Sequence, residues 1–429
     1  MVEEYYGRIL DEIIEKRLKM IGAILIVGPK WCGKTTTAKQ HANSIISLQD
    51  PDNISSYLQL AEIKPSKLLE GEKPRLIDEW QVAPVLWDAV RTSVDNMHGS
   101  GFYILTGSTV VDETKIMHSG TGRINRITML PMSLWESNES NGKIPILKLF
   151  ENPNMDIDGI ESDLTIEELI YAACRGGWPE SLFKDSQEAQ LFVVKNYVEN
   201  ICSIDMSSID DVKRDPNRVK EILKSYARNI STLASNKTII KDVKGTYPEM
   251  ADSTFYDYID ALSRLFVISN IPSWSPNIRS KQSIRATPKK EFIDPSIATA
   301  VLGINHENLM FDLNTFGFIF ETLCIRDLKA YISPANGHVS YYRDKTGLEA
   351  DCVIHLDNGD YALIEFKLGG SKIDEGAKHL LKLNDLIETK IKEKNLKINK
   401  PKFLSVITGG KFAYTREDGV KVIPIGCLR

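Results

Sequence analysis

The chain has 429 residues and a formal net charge of −5. This length predicts about two to three domains, and the negative charge argues against a globally basic protein that coats nucleic acid, although it allows a local basic groove. The six cysteines include no CxxC pair, which excludes a disulfide framework or a cysteine zinc site and favours a reducing cytosol. The sequence is charged from residue 3 onward, so we expect no signal peptide, and the longest apolar run, residues 21–27, is too short to span a bilayer. We therefore expect a cytoplasmic protein with no membrane partner.

Residues 1–140 have the pattern of an α/β domain. An amphipathic helix is predicted over 3–20. Short apolar strands are predicted at 23–27, 75–77, 102–105 and 124–130, with helical stretches between them. Because strands that alternate with helices form parallel sheets, we expect a parallel sheet covered on both faces.

Directly after the first strand the sequence reads GPKWCGKT, a complete GxxxxGK[ST] phosphate-binding loop that opens a helix. Its glycines let backbone N–H groups converge on phosphate oxygens, Lys34 reaches the outer phosphates, and Thr35 offers its hydroxyl to Mg²⁺. The sequence therefore predicts an ATP and Mg²⁺ site in which Lys34 is also catalytic. The predicted nucleotide-binding residues of the loop are Gly28, Pro29, Lys30, Trp31, Cys32, Gly33, Lys34, Thr35 and Thr36.

Two acids follow the strand predicted at 75–77. We predict that Asp78 binds nucleotide and joins Thr35 in the Mg²⁺ shell, and that Glu79 is a catalytic residue that polarises the attacking water. The alternative is a solvated strand end that happens to carry two acids.

The strand predicted at 102–105 runs into hydroxyl residues, of which Thr106 is the predicted nucleotide sensor beside the γ-phosphate and Ser108 the alternative. A strand that simply ends in a Gly-Ser turn would look the same. Arg123 is predicted to be a catalytic arginine finger supplied in trans, which requires a homo-oligomer, and Arg91 is a second candidate. A solvated arginine after a glycine turn is the other interpretation of Arg123.

The middle domain, 141–275, begins with a linker or insertion that extends to about residue 163 and is mainly helical beyond it. Helices predicted at 217–230, 237–244 and 253–267 have the order of a winged-helix unit. The third carries two acids, Asp257 and Asp260, and phosphate repulsion makes such a helix a poor fit for a DNA groove. We therefore expect a connector or lid rather than a DNA-reading domain.

The last domain, 276–429, carries Asp351 and the triplet Glu365-Phe-Lys367, which have the order and residue types of a Mg²⁺-dependent nuclease. Two carboxylates hold the metal in such sites, and the lysine stabilises charge or orients water. We predict Asp351 and Glu365 as metal ligands, and these two residues with Lys367 as catalytic. The alternatives are a hairpin with a charged outer face and a nuclease-like fold that has lost its activity.

The hairpin that joins these residues has two possible registers. A two-residue turn at 358–359 would place Asp351 opposite Phe366, whereas a three-residue loop at 357–359 places Asp351 opposite Glu365. Only the second register keeps the apolar side chains of both strands on one face, so we predict that the two acids meet. Glu321, on an apolar helix, could complete the cluster as a partly buried acid that needs a partner.

Residues 277–290 contain basic residues and no acid. This strip suits contact with a nucleic-acid backbone, although solvated linkers have the same composition. Its basic residues are Arg279, Lys281, Arg285, Lys289 and Lys290.

Together these motifs resemble prokaryotic AAA-superfamily ATPases whose C-terminal domain of unknown function looks like the PD-(D/E)-x-K nuclease superfamily. The stretches that carry the resemblance beyond the glycine loop are LIDEWQ (76–81), ILTGS (104–108), HSGTGRI (118–124), PMSLWES (131–137), RGGWPE (175–180), IRSKQSIR (278–285), FIDPSIA (292–298), FGFIFE (316–321) and EADCVI (349–354). The resemblance implies an AAA-like P-loop domain, a helical or winged-helix domain and a PD-(D/E)-x-K-like α/β domain, but no biological role. The sensor position departs from the usual AAA pattern, because Thr106 or Ser108 stands where asparagine is expected.

The leading hypothesis is an ATP-driven machine that acts on DNA or RNA through its nuclease-like domain. The alternative is a nucleotide-switched protein whose last domain binds a partner and cuts nothing. A small-molecule kinase is a third possibility, but the Asp78-Glu79 pair favours water activation over phosphoryl transfer to a metabolite.

Overall fold

The computed structural model describes residues 5–107, 120–210, 212–276, 285–370, 372–394 and 399–429. The chain divides into two compact units. The first unit comprises residues 1–131, 204–213 and 260–267, and the second comprises 132–203, 214–259 and 268–429. The three domains predicted above divide the chain more finely, and that division stays a prediction.

The first unit is built on a five-stranded parallel sheet with strand order β2-β3-β4-β1-β5, as the alternation of strands and helices predicted. The edge strand β2 was not predicted, because Ser-Ile-Ile-Ser is too short to show a pattern. Up to residue 131 the elements are α1 (Ile9–Leu18), β1 (Ala23–Val27), α2 (Lys34–Gln40), β2 (Ser44–Ser47), α3 (Ile54–Ile63), β3 (Arg75–Asp78), α4 (Val85–Met97), β4 (Tyr103–Gly107) and β5 (Ile124–Thr128).

Strand β1 has a side chain buried at every position, since both faces of the sheet are covered. Ala23, Leu25 and Val27 pack into one apolar cluster, while Ile24 and Ile26 pack into another. This alternation fixes the strand between two cores and directs its carboxyl end into the glycine loop. The carboxyl ends of parallel strands are where ligands bind in α/β folds.

Most of the helices in the described ranges lie in the second unit. The three helices predicted in the middle domain are present, at Pro216–Arg228, Asn236–Thr246 and Asp252–Arg264. The described α-helices from residue 132 onward, of which α9 and the end of α12 belong to the first unit, are α5 (Ile146–Glu151), α6 (Ile166–Arg175), α7 (Pro179–Leu182), α8 (Gln187–Asn200), α9 (Met206–Ser208), α10 (Pro216–Arg228), α11 (Asn236–Thr246), α12 (Asp252–Arg264), α13 (Pro295–Leu302), α14 (His306–Phe311), α15 (Leu313–Ile332) and α16 (Lys372–Lys394).

A six-stranded mixed sheet of order β10-β11-β9-β8-β7-β6 forms the other part of the second unit. Its strands are β6 (His338–Arg343), β7 (Glu349–His355), β8 (Tyr361–Lys367), β9 (Leu404–Thr408), β10 (Tyr414–Thr415) and β11 (Lys421–Pro424). The apolar side of α16, including Leu380 and Leu383, packs with Val353 of β7 and Leu363 of β8 in one core.

The β7–β8 hairpin has the register predicted from its apolar pattern. Cys352 pairs with Ile364, and the Leu356 N–H donates to the Asp360 carbonyl at 2.8 Å, which closes the three-residue loop 357–359. Gly359 has the left-handed φ of 85° that this loop requires. The register therefore sets Asp351 opposite Glu365.

A buried polar network in the second unit explains three of the sequence stretches that named no chemistry. The Arg326 guanidinium lies 3.0 Å from an Asp294 oxygen and 2.7 Å from an Asp327 oxygen. The Gly177 N–H donates to Asp294 and the Leu134 N–H donates to Asp327, each at 3.0 Å. A structural ion cluster thus joins three stretches of the sequence, PMSLWES, RGGWPE and FIDPSIA. Buried charges require the opposite charges and hydrogen-bond donors that these stretches supply.

Candidate functional site

The glycine loop in the first unit has the backbone geometry of a phosphate cradle. A Cβ on Gly28 would lie 2.2 Å from the Met129 carbonyl oxygen, so only glycine fits there. Gly33 has a left-handed φ of 97° and caps α2, which begins at Lys34. The N-terminus of α2 therefore follows the loop directly, as anion binding at a helix end requires.

Lys34 is folded against the loop rather than extended into solvent. Its Nζ donates to the carbonyls of Gly28 at 3.1 Å and Pro29 at 2.7 Å, and the residue is buried. The ammonium group is thus held beside the backbone N–H groups that would cradle a phosphate chain.

Asp78 ends β3 and accepts hydrogen bonds from three hydroxyl groups. Thr35 and Thr106 donate to its Oδ1 at 2.7 and 2.6 Å, and Ser47 donates to its Oδ2 at 3.4 Å. All three donors are neutral, so none of them brings a compensating positive charge to the carboxylate. A carboxylate beside a threonine hydroxyl is an oxygen donor set that fits Mg²⁺.

Glu79 follows Asp78 in the left-handed backbone region, at φ 54°. The Gln81 side-chain amide donates to its carboxylate. Burial raises the pKa of Glu79 above its ordinary value, and the charge of Lys34 and the Gln81 hydrogen bond oppose this shift. The position suits a carboxylate that takes up or orients a proton near the phosphates.

A cavity of about 660 Å³ opens beside these residues, within the size range of small-molecule sites. Lys30 faces Asp205 at its rim, with 2.6 Å between Nζ and Oδ1. The cavity is lined by Lys30, Trp31, Gly33, Lys34, Thr35, Thr36, Gln49, Glu79, Gln81, Ile204 and Ser208.

Cys32 occupies the loop without presenting its side chain to the cavity. The side chain is buried in the apolar cluster that contains Ile24 and Ile26, and the Cys32 carbonyl accepts from Arg8 Nη1 at 2.8 Å. Only the backbone of Cys32 is therefore available to a nucleotide. The pattern missed Ser47, Gln81 and Asp205, because none belongs to the loop motif.

Arg123 lies at the edge of the sheet opposite the glycine loop. Its carbonyl accepts from the N–H of Ala23, the first residue of β1, while the loop follows the last residue of that strand. The Arg123 side chain is 47% exposed, and its Nε lies 2.7 Å from Asp95 Oδ1. It could reach a nucleotide only on another copy of the chain, so the arginine finger in trans stays a prediction. Ser108 lies outside the described residues.

The second unit brings Asp351, Glu365 and Lys367 together. Lys367 Nζ lies 3.3 Å from Asp351 Oδ2 and 2.6 Å from Glu365 Oε2, and the Phe366 N–H also donates to Asp351 Oδ2 at 3.0 Å. Glu365 is 1% exposed, and its Oε1 is a buried atom with no hydrogen-bond partner within the described structure. The predicted constellation is therefore present as a closed ion cluster.

Lys289 enters the same cluster, which the sequence did not indicate. Its Nζ pairs with the Glu321 carboxylate and donates to the Asp351 carbonyl at 3.2 Å. Lys289 is 7% exposed and Lys290 3% exposed, and Lys290 Nζ donates to Asn236 at 2.6 Å. The expectation that these two lysines face a nucleic-acid backbone or solvent is wrong. Arg285 is exposed, while Arg279 and Lys281 lie outside the described residues.

The titration of this cluster reflects its burial. Burial raises the pKa of Glu365 to about 9, with the neighbouring Asp351 charge adding to the shift, and it raises the pKa of Glu321 to about 8. Burial also acts to raise the pKa of Asp351, but Lys289 and Lys367 outweigh it and hold that pKa below its ordinary value. Asp351 thus carries the ionised carboxylate between two ammonium groups.

This donor set does not fit a divalent metal. Glu321 and Glu365 each pair with one lysine, and Asp351 lies near both lysines. In the part of the chain that the structure describes, no group of three or more His, Cys, Asp or Glu side chains is arranged to hold a metal ion.

A search of the described helices for membrane spans found none with the length and apolar character that crossing a bilayer requires.

Three family models match separate parts of the chain. Residues 21–138 match a family described as AAA domain. Residues 166–308 match a domain of unknown function (DUF8612), and residues 316–428 match another (DUF4143). Together with the geometry of the glycine loop, the first match supports a P-loop, AAA-like ATPase domain in this part of the chain. The other two matches assign no activity.

Two curated relatives are uncharacterized proteins, Rv2008c of Mycobacterium tuberculosis and Mb2031c of Mycobacterium bovis. Each is 22% identical over 356 residues, which cover 81% of this chain and 71% of the relative. Among solved structures, the chain is similar to the Walker-type ATPase PABY2304 of Pyrococcus abyssi at 15% identity and a TM-score of 0.43. That similarity covers 70% of this chain and 97% of the other.

Proposed function

We propose that the chain hydrolyses ATP with Mg²⁺ at the cavity beside residues 28–36. The observation that supports this function is the hydrogen bond between Thr35 and Asp78, 2.7 Å long, next to the partly buried Glu79. This hydrogen bond joins the glycine loop to the carboxyl end of β3, where the metal-shell carboxylate Asp78 and the candidate water-activating acid Glu79 are adjacent. All three are parts of ATP-hydrolysing P-loop sites.

Each residue has a separate role in this proposal. Lys34 binds the outer phosphates, and Thr35 and Asp78 would hold Mg²⁺, which when bound neutralises phosphate charge. Glu79 accepts a proton from the attacking water, and Gln81 orients its carboxylate. Thr106, which is fully buried and donates to Asp78 at 2.6 Å, couples the end of β4 to the metal-shell acid.

The first experiment measures phosphate release from Mg²⁺-ATP by the full chain and by Lys34→Ala. We expect Lys34→Ala to lose at least about 100-fold in rate, because an electrostatic clamp on the phosphates is removed. Lys39→Ala is the matched control, since Lys39 is an exposed lysine of the same helix and should leave the rate unchanged. A Lys34→Ala protein as active as Lys39→Ala would contradict the proposal.

A second candidate function is action on nucleic acid through the last domain, in which the resemblance to PD-(D/E)-x-K nucleases points to cleavage. The convergence of Asp351, Glu365 and Lys367 supports it. The second lysine of the cluster, Lys289, favours the variant of this hypothesis in which the domain binds nucleic acid without cutting it. A winged-helix role for α10–α12 remains part of this candidate only.

This candidate is tested on supercoiled, linear and single-stranded DNA and on RNA, with Mg²⁺ or Mn²⁺ and with or without ATP. Nicking that disappears in Lys367→Ala would establish a nuclease, and its response to Lys34→Ala would show whether ATP controls it. Binding without cleavage would support a nuclease-like recognition domain. Neither binding nor cleavage in either nucleotide state would exclude nucleic acid and leave a protein partner as the target.

A further inference from the structure

Lys289 is a buried cation held between two acids that belong to different elements. Its side chain is 8% exposed, and those of Glu321 on α15 and Asp351 on β7 are 12% and 13% exposed. Lys289 Nζ pairs with Glu321, donates to the Asp351 carbonyl at 3.2 Å and lies 4.0 Å from Asp351 Oδ1. A buried ammonium group in such contacts is a fixed part of the cluster rather than a surface charge.

The backbone around Lys289 is fixed as well. Lys289 and Ile271 exchange both main-chain hydrogen bonds of an antiparallel bridge, at 3.0 and 3.1 Å. The ring of Tyr341 lies 5.8 Å from the ammonium group, and the Tyr341 hydroxyl donates to the Thr287 carbonyl at 2.6 Å. The chain on both sides of Lys289 is therefore anchored, and its side chain is directed at the acids.

The cluster as a whole contains two ammonium groups among three carboxylates. Lys289 contacts Glu321 and lies near Oδ1 of Asp351. Lys367 contacts Oδ2 of Asp351 and also Glu365. A nuclease-type Mg²⁺ site contains two carboxylates and one lysine, whereas this cluster has a second ammonium group, that of Lys289, at Glu321 and Asp351. A divalent cation entering here would meet two fixed positive charges at contact distance.

We propose that Lys289 is the resident cation of this cluster and occupies the position that a divalent metal would take, so that the cluster binds no Mg²⁺ while Lys289 is present. The inference rests on the second candidate function only in that it compares this cluster with the metal site of a nuclease. It implies that the last domain recognises its target and does not cleave it with a metal ion. It is independent of ATP hydrolysis in the first unit.

The test measures Mn²⁺ binding to the full chain without nucleotide, by the electron paramagnetic resonance signal of free Mn²⁺. The proteins are a reference protein whose cluster is wild type, Asp351→Asn, Lys289→Met, Lys289→Arg and the double variant Lys289→Met/Asp351→Asn. All carry Asp78→Asn, which removes the metal-shell carboxylate of the first unit. Thermal unfolding followed by circular dichroism shows which proteins are folded, and Lys289→Gln replaces Lys289→Met if the latter is not.

We expect the Lys289→Met protein to bind one Mn²⁺ at least about tenfold more tightly than the wild-type cluster, whose affinity should be weaker than about 1 mM. The double variant should lose this site, and Lys289→Arg should not gain it because it retains the charge. A wild-type Mn²⁺ site that disappears in Asp351→Asn would overturn the inference, as would a folded Lys289→Met protein without a new site. If no Lys289 variant folds, the reference protein still tests the inference, because a Mn²⁺ site that depends on Asp351 would overturn it. Phosphate release by the same chains without Asp78→Asn reports separately on the ATPase proposal.

Discussion

Each compact unit places a largely buried aspartate near a second acid, and the two aspartates differ in which groups donate hydrogen bonds to them. Asp78 accepts from the hydroxyls of Thr35, Thr106 and Ser47. Asp351 accepts from the Phe366 N–H and the Lys367 ammonium, with Lys289 nearby. Neutral donors stabilise a carboxylate without cancelling its charge, whereas ammonium groups cancel it. The same residue type is therefore prepared for a cation in one unit and already neutralised in the other.

The largest expected effect separates the two aspartates by their role in ATP turnover. Asp78→Asn should lower ATP hydrolysis roughly 1,000-fold, the upper end of the loss when one charge contact to a transition state is removed. Asp351→Asn should leave hydrolysis within about twofold, since its cluster lies in the other unit. Phosphate release at saturating Mg²⁺-ATP measures both. Equal losses in the two variants would remove the distinction.

Stability should reverse the order of the two aspartates. Asp351→Asn leaves the buried Lys289 and the partly buried Lys367 without their shared acid, which should cost about 3 kcal/mol in free energy of unfolding. Asp360→Asn is the control on the same hairpin, because Asp360 pairs with the partly exposed Lys402 and should cost about 1 kcal/mol or less. Urea unfolding at pH 7 compares the variants. A loss for Asp351→Asn no larger than the control would show that its charge is not structurally required.

The local parts of both sites could be predicted from the sequence. The loop around Lys34 is contiguous, and its neighbouring strand and helix follow from residue pattern, so no long-range information is needed. The meeting of Asp351 and Glu365 could also be predicted, because alternation with a period of two determines the register of a half-buried hairpin.

The donors that distinguish the two aspartates could not be predicted in the same way. Ser47 reaches Asp78 from an edge strand of four residues, and Asp205 reaches Lys30 from a segment 175 residues later. Lys289 belongs to a strip that local composition describes as basic and solvated, yet its pairing with Ile271 turns it inward. Such contacts depend on which distant segments pack together. The local spacing of apolar and polar residues in one sequence predicts helices and strands but not these contacts.

A smaller effect concerns the acid beside Asp78. Burial raises the pKa of Glu79, so the ionised form that accepts a proton is lost as the pH falls, and the acid limb of ATP hydrolysis should lie above the ordinary glutamate value of 4.5. Gln81→Leu removes a hydrogen bond that favours the ionised form. Its acid limb should therefore move to higher pH, with a maximal rate roughly tenfold lower because the carboxylate is less well oriented. Rate–pH profiles of both proteins measure this, and an unmoved acid limb would show that Gln81 does not act on Glu79.

The smallest effect is expected at the rim of the ATP cavity, where a lysine pairs with an acid as in the cluster of the second unit. Lys30 lies 2.6 Å from Asp205, and its side chain is 37% exposed, so solvent weakens the pair. Asp205→Asn removes a negative charge near the phosphates and frees Lys30, which should tighten ATP binding about twofold to fivefold. Asp52→Asn, an exposed acid of the same unit that does not line the cavity, should leave the affinity unchanged. Titration calorimetry with ATP distinguishes the two variants. Weaker ATP binding by Asp205→Asn would mean that Asp205 positions Lys30 for the nucleotide instead of competing with the nucleotide for Lys30. The acid at the rim would then assist the binding of a ligand, whereas the acids of the second unit only neutralise their lysines.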